Sequence, residues 1–341
     1  MAEVIFKVEN KVAHIILNRP EKINTLTHEM IVAIDLKMQE WQDDEDIICV
    51  VMYGAGNRGF SAGGDMKIYY ENKAEAHQLA RRFFPTEYEL DYKIINYPKP
   101  IIAFLDGIVM GGGVGLSYGA DYKLVTPTTK WAMPEVSIGF FPDVGGTYFL
   151  NQIPKEIALY ITFLAKFLKA DDVLYLGYGT HKINQEDFQN ILIELSQIEG
   201  KDAKTEIASI LDKYKQNPLP SYLEEHKELI KKYFKANSVE EIIIKLQEGA
   251  EKEDPWARAT LEEMRKKSLL SQYVIFEQLK RGENLSLEEC FALEEKLSLN
   301  FMDNPDFYEG LRSVLVDKNE PNWHYQEVED ISEELVEKFF L

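Results

Sequence analysis

Four glycines fall within five positions, at Gly111, Gly112, Gly113 and Gly115, directly after the apolar run Ile108-Val109-Met110. Each glycine in a helix interior costs ~1 kcal/mol relative to alanine. A run of them is therefore expected only where the backbone must approach something closely. Placed where a strand stops and a helix starts, the run leaves the first N–H groups of that helix uncovered, and these carry partial positive charge. An anion, or a carbonyl that becomes one, suits that position. No Gly-Lys-Ser/Thr follows, so the spacing is not that of a phosphate-binding loop.

The segments around the cluster alternate between apolar runs and helical patterns. Val12-Ala13-His14-Ile15-Ile16-Leu17 reads as a buried strand ended by Asn18-Arg19-Pro20. Leu26, Met30, Ile34, Met38 and Trp41 recur at helical spacing. Ile47 to Tyr53 is the next strand, closed by Gly54-Ala55-Gly56. A third runs from Pro100 to Leu105 and through Asp106-Gly107 into Ile108-Val109-Met110, and Tyr122 to Thr126 is another. Strands joined through helices predict an α/β class. After residue 200 the pattern becomes helical. Ser238-Val239-Glu240-Glu241 and Ser286-Leu287-Glu288-Glu289 both match the helix-starting capping box, and Cys290, Leu293, Leu297 and Phe301 follow the second at helical spacing. The expected division is a core over residues 1–200 that carries the site and a mainly helical region over 201–341.

The overall balance excludes several classes. Apolar residues make up 45% and charged residues 28%, as in ordinary globular chains. No stretch approaches the ~20 apolar residues of a spanning helix, so no membrane partner is expected. The net charge of −20 repels phosphate backbones, and no basic stripe offsets it, so no nucleic-acid partner is expected. The same charge requires any phosphate-bearing ligand to find locally positive groups. Cys49 and Cys290 form no ligand pattern, and neither a disulfide nor a metal site is expected. The N-terminus reads as the start of a strand rather than a leader, and the expected location is cytoplasmic.

Two further segments carry chemistry. Phe60-Ser61-Ala62-Gly63-Gly64-Asp65 follows a strand and loop, and its small residues let the backbone aim an N–H at a ligand. Trp131 to Gly146 places Glu135 and Asp143 in an apolar stretch punctuated by proline and glycine. Burial would raise a carboxyl's pKa and make it a candidate base, acid or nucleophile. Each residue also has a plain structural reading: a Gly-Gly-Asp turn, a helix-start glutamate after Pro134, and a turn-forming aspartate after Pro142. On composition alone the plain readings prevail for both carboxylates.

Taken together, these segments resemble the crotonase (enoyl-CoA hydratase/isomerase) superfamily. The likeness begins at Asn18-Arg19-Pro20-Glu21-Lys22-Ile23-Asn24-Thr25-Leu26, similar to its first strand-to-helix turn. It continues through Phe60 to Asp65, Met110 to Leu116 and Met133 to Gly146. Within the superfamily, Met110 to Ser117, Phe141 to Gly146, Gly179-Thr180-His181, Asp306 to Arg312 and Val316-Asp317-Lys318 resemble the 3-hydroxyisobutyryl-CoA hydrolases most closely. The resemblance spans nearly the whole chain, with residues 200–280 contributing little.

The resemblance implies a spiral of strand-strand-helix (ββα) units followed by a helical C-terminal region. Many members are trimers or pairs of trimers, which leaves a homo-oligomer as an open expectation. It implies that the backbone N–H groups of Gly64 and Gly112 grip a thioester oxygen, and one such donor is typically worth ~2.7–4 kcal/mol in the transition state. Hydratases of the superfamily use two glutamates; the second aligns with Glu135, and the first aligns with Gly115, which cannot move a proton. The hydrolase subgroup likewise has glycine there and adds an aspartate, matched by Asp143. The implied reaction is hydrolysis of a short 3-hydroxyacyl-coenzyme A. Glu135 either attacks the acyl carbon or activates water, and both routes stay open. Asp143 would bind the 3-hydroxyl and help protonate the departing thiol. Glu87 matches a substrate-pocket glutamate, against a plain reading as an exposed helix charge. Lys22, Ala62 and Lys318 match coenzyme A contacts. No metal or redox cofactor is implied, since coenzyme A is part of the substrate. The runner-up is an isomerase or hydratase of the same fold. A non-catalytic scaffold or RNA-associated relative is the third reading, disfavoured by the intact carboxylates and the acidic balance.

Overall fold

Every strand among the described residues belongs to one of two sheets whose order follows from the apolar runs. The structure, a computed structural model, describes residues 2–198 and 202–341. Among them are β1 (Val4–Glu9), β2 (Val12–Leu17), β3 (Cys49–Gly54), β4 (Gly59–Ser61), β5 (Ile101–Leu105), β6 (Ile108–Met110), β7 (Tyr122–Val125), β8 (Lys130–Ala132) and β9 (His181–Lys182). The first sheet has the order β1-β2-β3-β5-β7-β9, antiparallel at β1/β2 and parallel elsewhere. The second, β4-β6-β8, is parallel throughout. A parallel sheet covered on both faces needs continuous apolar strands rather than alternating ones, and β5 is buried at every position.

The chain forms two compact units. The first holds residues 1–65, 86–132 and 167–224; the second holds 66–85, 133–166 and 225–341. All nine strands lie in the first unit. On one face of its larger sheet Val12, Cys49, Val51, Ile102, Phe104 and Leu124 pack with Phe188, Ile191 and Leu195 of the helix Phe188–Leu195 and with Ile207 and Leu211 of the helix Ala203–Tyr214. Cys49 is thus a buried core residue, and its thiol is pushed up to about 12 by burial. The expected boundary at 200 falls within residues 199–201, outside the described residues. The helix Ala203–Tyr214 beyond it packs in the first unit.

The regular elements of the second unit are all helices. Its aromatic core brackets the segment after Pro134: the Phe140 ring lies 5.7 Å from Phe84, 5.0 Å from Phe301 and 5.3 Å from Phe307. Both expected capping boxes begin helices, but only one is reciprocal. Ser286 accepts from Glu289 N at 3.3 Å while Glu289 Oε2 accepts from Ser286 N at 2.8 Å. At the other, Ser238 caps Glu241 N, but the Glu241 carboxylate turns back to the amide of Asn237 instead. No helix among the described residues is long and apolar enough to cross a membrane.

The run expected as one strand from Pro100 to Met110 is two strands in two sheets. Gly107, at φ 65°, breaks it, and a side chain there would collide with the Arg58 carbonyl 2.6 Å away. This bend delivers β6 and the glycine cluster to the smaller sheet.

Candidate active site

In the first unit, the glycine cluster and the Gly-Gly-Asp segment form one backbone surface. The helix Gly112–Tyr118 starts at Gly111, whose φ of 49° and ψ of −122° suit only glycine. Val114 N and Gly115 N donate to the Gly111 carbonyl at 2.7 and 3.2 Å, so the Gly112 N–H, at the first helical position, has no intrahelical acceptor. A Cβ on Gly63 would sit 3.2 Å from Gly112 N, and one on Gly113 would sit 2.8 Å from the Ser61 carbonyl. The glycines therefore let two backbone segments touch.

The orientation of Gly64 follows from its pairing with Leu26. Leu26 N donates to the Gly63 carbonyl at 2.8 Å, and Asp65 N donates to the Leu26 carbonyl at 2.9 Å. In such a parallel pairing the residue between the two bonded ones turns its own N–H to the opposite side. Neighbouring donors are engaged as well: Ala62 N with the Ile23 carbonyl at 2.9 Å, and Gly63 N with Ser61 Oγ at 3.1 Å. Buried Asn24 braces the turn, accepting from Arg19 N and donating to the carbonyls of Ala55 and Gly59.

Glu87 lies beside this surface, on the helix Ala76–Ile95. A Cβ on Gly112 would overlap Glu87 Oε1, and the residue is 2% exposed. It is not the exposed helix charge of the plain reading. Lys22 is on the surface and pairs with Asp65 at 3.0 Å, as does Arg19 at 2.9 Å; those bonds hold the Asp65 carboxyl below its usual value despite burial. Ala62 is half-buried next to Gly63.

In the second unit, the short 3-10 turn Glu135–Ile138 follows Pro134, which stands at its N-cap. Glu135 is 6% exposed. Gly139, at φ 67°, ends the turn, and a side chain there would overlap the Asp306 carbonyl. Gly310 meets the backbone of Ile138 equally closely. The late segment singled out in the sequence thus forms the floor under Glu135. It is itself locked: the buried Asp306 carboxylate accepts from Ser268 Oγ at 2.8 Å and from His324 N at 2.7 Å, and burial holds its carboxyl above its ordinary value.

Asp143, also 6% exposed, opens a turn in which Gly146 N donates to its carbonyl at 2.7 Å. Residues that sequence reasoning missed build this turn. Glu294 accepts from Gly145 N at 2.8 Å and Thr147 N at 2.7 Å, and Gln278 Nε2 donates to the Pro142 carbonyl at 2.7 Å. Burial, with a smaller contribution from the Asp143 charge, pushes the Glu294 carboxyl up to about 8 against the pull of those amides. The signal was present but assigned to the wrong neighbour. The buried stripe after Cys290 runs through Glu294 rather than Leu293, which is half-buried. Lys318, at φ 52° just after the π-helical stretch Arg312–Asp317, is on the surface.

The first unit therefore gathers Lys22, Ala62, Gly64, Glu87 and Gly112, and the second gathers Glu135 and Asp143 and also holds Lys318. Chemically, one offers the amides of glycines that carry no side chains of their own, and the other offers two buried carboxyls.

A family model described as enoyl-CoA hydratase/isomerase matches residues 12–340. The chain is 36% identical over 345 residues to a mitochondrial 3-hydroxyisobutyryl-CoA hydrolase of Danio rerio, covering 99% of this chain and 89% of that protein. It is 36% identical over 354 residues to the protein of the same name from Dictyostelium discoideum, covering 99% and 91%. Among solved structures, a carnitinyl-CoA dehydratase from Mycobacterium thermoresistibile matches with a TM-score of 0.92 and 32% identity, over 100% of this chain and 97% of that one.

Proposed function

The chain belongs to the enoyl-CoA hydratase/isomerase family, and within it we propose that it hydrolyses short 3-hydroxyacyl-coenzyme A thioesters, 3-hydroxyisobutyryl-CoA in the first instance. The observation that carries this reading is the pairing of two facts: Glu135 and Asp143 are buried carboxyls of one helical unit, and position 115 is a glycine inside a helix. Adding or removing water across a carbon–carbon double bond with two glutamates needs a proton carrier at that position. Hydrolysis does not.

In this reading the Gly64 and Gly112 N–H groups hold the thioester oxygen as negative charge develops on it. Glu135 is the acting carboxylate. By one route it forms a mixed anhydride that water opens; by the other it takes a proton from water as the water attacks. Either way the C–S bond breaks, the thiolate leaves and is protonated to coenzyme A, and water's oxygen completes the balance of the free acid. Asp143 accepts a hydrogen bond from the substrate's 3-hydroxyl. An acyl group lacking that hydroxyl cannot make this hydrogen bond, and a site built to bond a substrate hydroxyl selects strongly for it. Glu87 borders the acyl position, while Lys22, Ala62 and Lys318 serve the coenzyme A moiety and offset the acidic surface.

Thiol release from 3-hydroxyisobutyryl-CoA, followed with a thiol-reactive dye, tests the proposal. The wild type should release stoichiometric coenzyme A, and Glu135→Ala should lose on the order of 10²–10⁴-fold in turnover. Double-bond migration or dehydration without free thiol, or full turnover by Glu135→Ala, would sink it.

A further inference from the structure

The turn that presents Asp143 is held by groups the reaction does not consume. Val144 has φ 52° and Gly145 φ 85°, so successive residues lie in the left-handed region. For a β-branched side chain that conformation costs of order 1–3 kcal/mol, and it persists only where surrounding contacts over-determine it. Those contacts converge from elsewhere in the second unit. Glu294, on the helix Leu287–Asn300 and 0% exposed, spans the turn with both carboxyl oxygens, Oε2 accepting from Gly145 N at 2.8 Å and Oε1 from Thr147 N at 2.7 Å. Gln278, on the helix Leu269–Gly282, donates to the Pro142 carbonyl just before Asp143 at 2.7 Å and to Thr147 Oγ1, four residues after Asp143, at 2.8 Å.

A local cap from serine or threonine would satisfy those amides without burying an ionisable group. Burying a carboxyl instead is expensive, and here it lies within electrostatic reach of another, since the Asp143 charge acts on it. Simple helix capping does not require that arrangement. What the second carboxyl adds is two acceptors on one rigid side chain, which tie Gly145 N and Thr147 N together just after Asp143.

We propose that Glu294 is a positioning residue: by gripping the Gly145 and Thr147 amides it fixes the orientation of Asp143, and so sets the preference for hydroxylated over unhydroxylated acyl thioesters. This rests on the reading of Asp143 given under Proposed function.

The test compares kcat/KM for 3-hydroxyisobutyryl-CoA and isobutyryl-CoA in the wild type, Glu294→Gln, Glu294→Asp, Asp143→Ala and the Glu294→Gln/Asp143→Ala double variant. The hydroxylated-to-unhydroxylated ratio should fall at least about tenfold in Glu294→Gln. The double variant should fall no further than Asp143→Ala alone, because both act through one contact. Glu294→Asp, which keeps the carboxylate on a shorter arm, should recover part of the ratio. General loosening would slow both substrates alike, so an unchanged ratio in Glu294→Gln overturns the inference, as does a loss that adds in full to that of Asp143→Ala. Should these variants not fold, amide hydrogen exchange in the wild type decides: Gly145 and Thr147 must exchange as slowly as core helix amides, and fast exchange there overturns the grip. A wild type that hydrolyses neither thioester removes the functional reading and this inference with it; a working hydrolase with an unchanged Glu294→Gln ratio removes this inference alone.

Discussion

Gly112 is glycine for two reasons that reinforce each other. Its amide opens a helix beside the Gly63 backbone, and the space where its Cβ would project is filled by Glu87 Oε1, with Leu26 Cδ1 3.2 Å away. Gly112→Ala should therefore cost about 1–3 kcal/mol by overpacking, and Glu87→Ala should relieve much of that penalty when combined with it. Denaturant unfolding of the four proteins measures the coupling; equal penalties in both backgrounds would show that Glu87 is not what the methyl meets. Glu294 makes a second prediction at this scale. Its folded pKa of about 8 lies above its ordinary 4.5: burial raises it most, the Thr147 and Gly145 hydrogen bonds lower it, and the Asp143 charge adds the smallest rise. Cys290, on the same helix, is pushed up to about 12 by burial first and then by the Glu294 charge. A raised carboxyl pKa contributes stability that is complete below about 4.5 and is lost as pH rises through about 8. The wild type should lose up to about 1.4 kcal/mol per pH unit across that window relative to Glu294→Gln. Parallel stability curves for the two proteins would contradict it.

Among elements, the helix Pro305–Leu311 has the least obvious role in the sequence and one of the clearest in the structure. It supplies the backbone against which Gly139 and Ile138 pack, and its Asp306 carboxylate ties Ser268 and His324 together. Asp306→Ala leaves the His324 amide without its buried acceptor, a loss of about 1–3 kcal/mol. The melting temperature should drop by several degrees, and turnover should fall with it, because the turn that carries Glu135 rests on this helix. Unchanged turnover in a destabilised Asp306→Ala protein would separate the two roles. The sequence of this segment resembles the family's but does not display its role, because packing against a distant turn leaves no periodic trace.

For the whole molecule, the order of the chain and the order of packing differ. Residues 133–166 pack in the second unit with 225–341, so a fragment ending at residue 198 keeps every strand but strips Phe140 of Phe301 and Phe307. Such a fragment should be insoluble or bind hydrophobic dyes and should lack a cooperative thermal transition; a soluble fragment that melts cooperatively would refute this. The division expected near residue 200 followed the change from strand to helix pattern, which is a local property. Which segments share a core depends on contacts between residues far apart in the chain.

Residues 101–132 show what the sequence could determine unaided: an apolar run that must be buried on both faces, ending in glycines that no ordinary helix would keep. Local sterics and periodicity dictate both, so the α/β class and the amide-lined helix start were legible. The family likeness likewise marked Glu135, Asp143 and Glu87, residues whose plain readings composition alone preferred for the first two. Only the tertiary structure decided that Gly107 divides one apolar run between two sheets, that Glu87 is buried at Gly112, and that Glu294 rather than Leu293 faces inward. Each is fixed by which distant side chain fills a particular space, and a one-dimensional pattern holds no record of that.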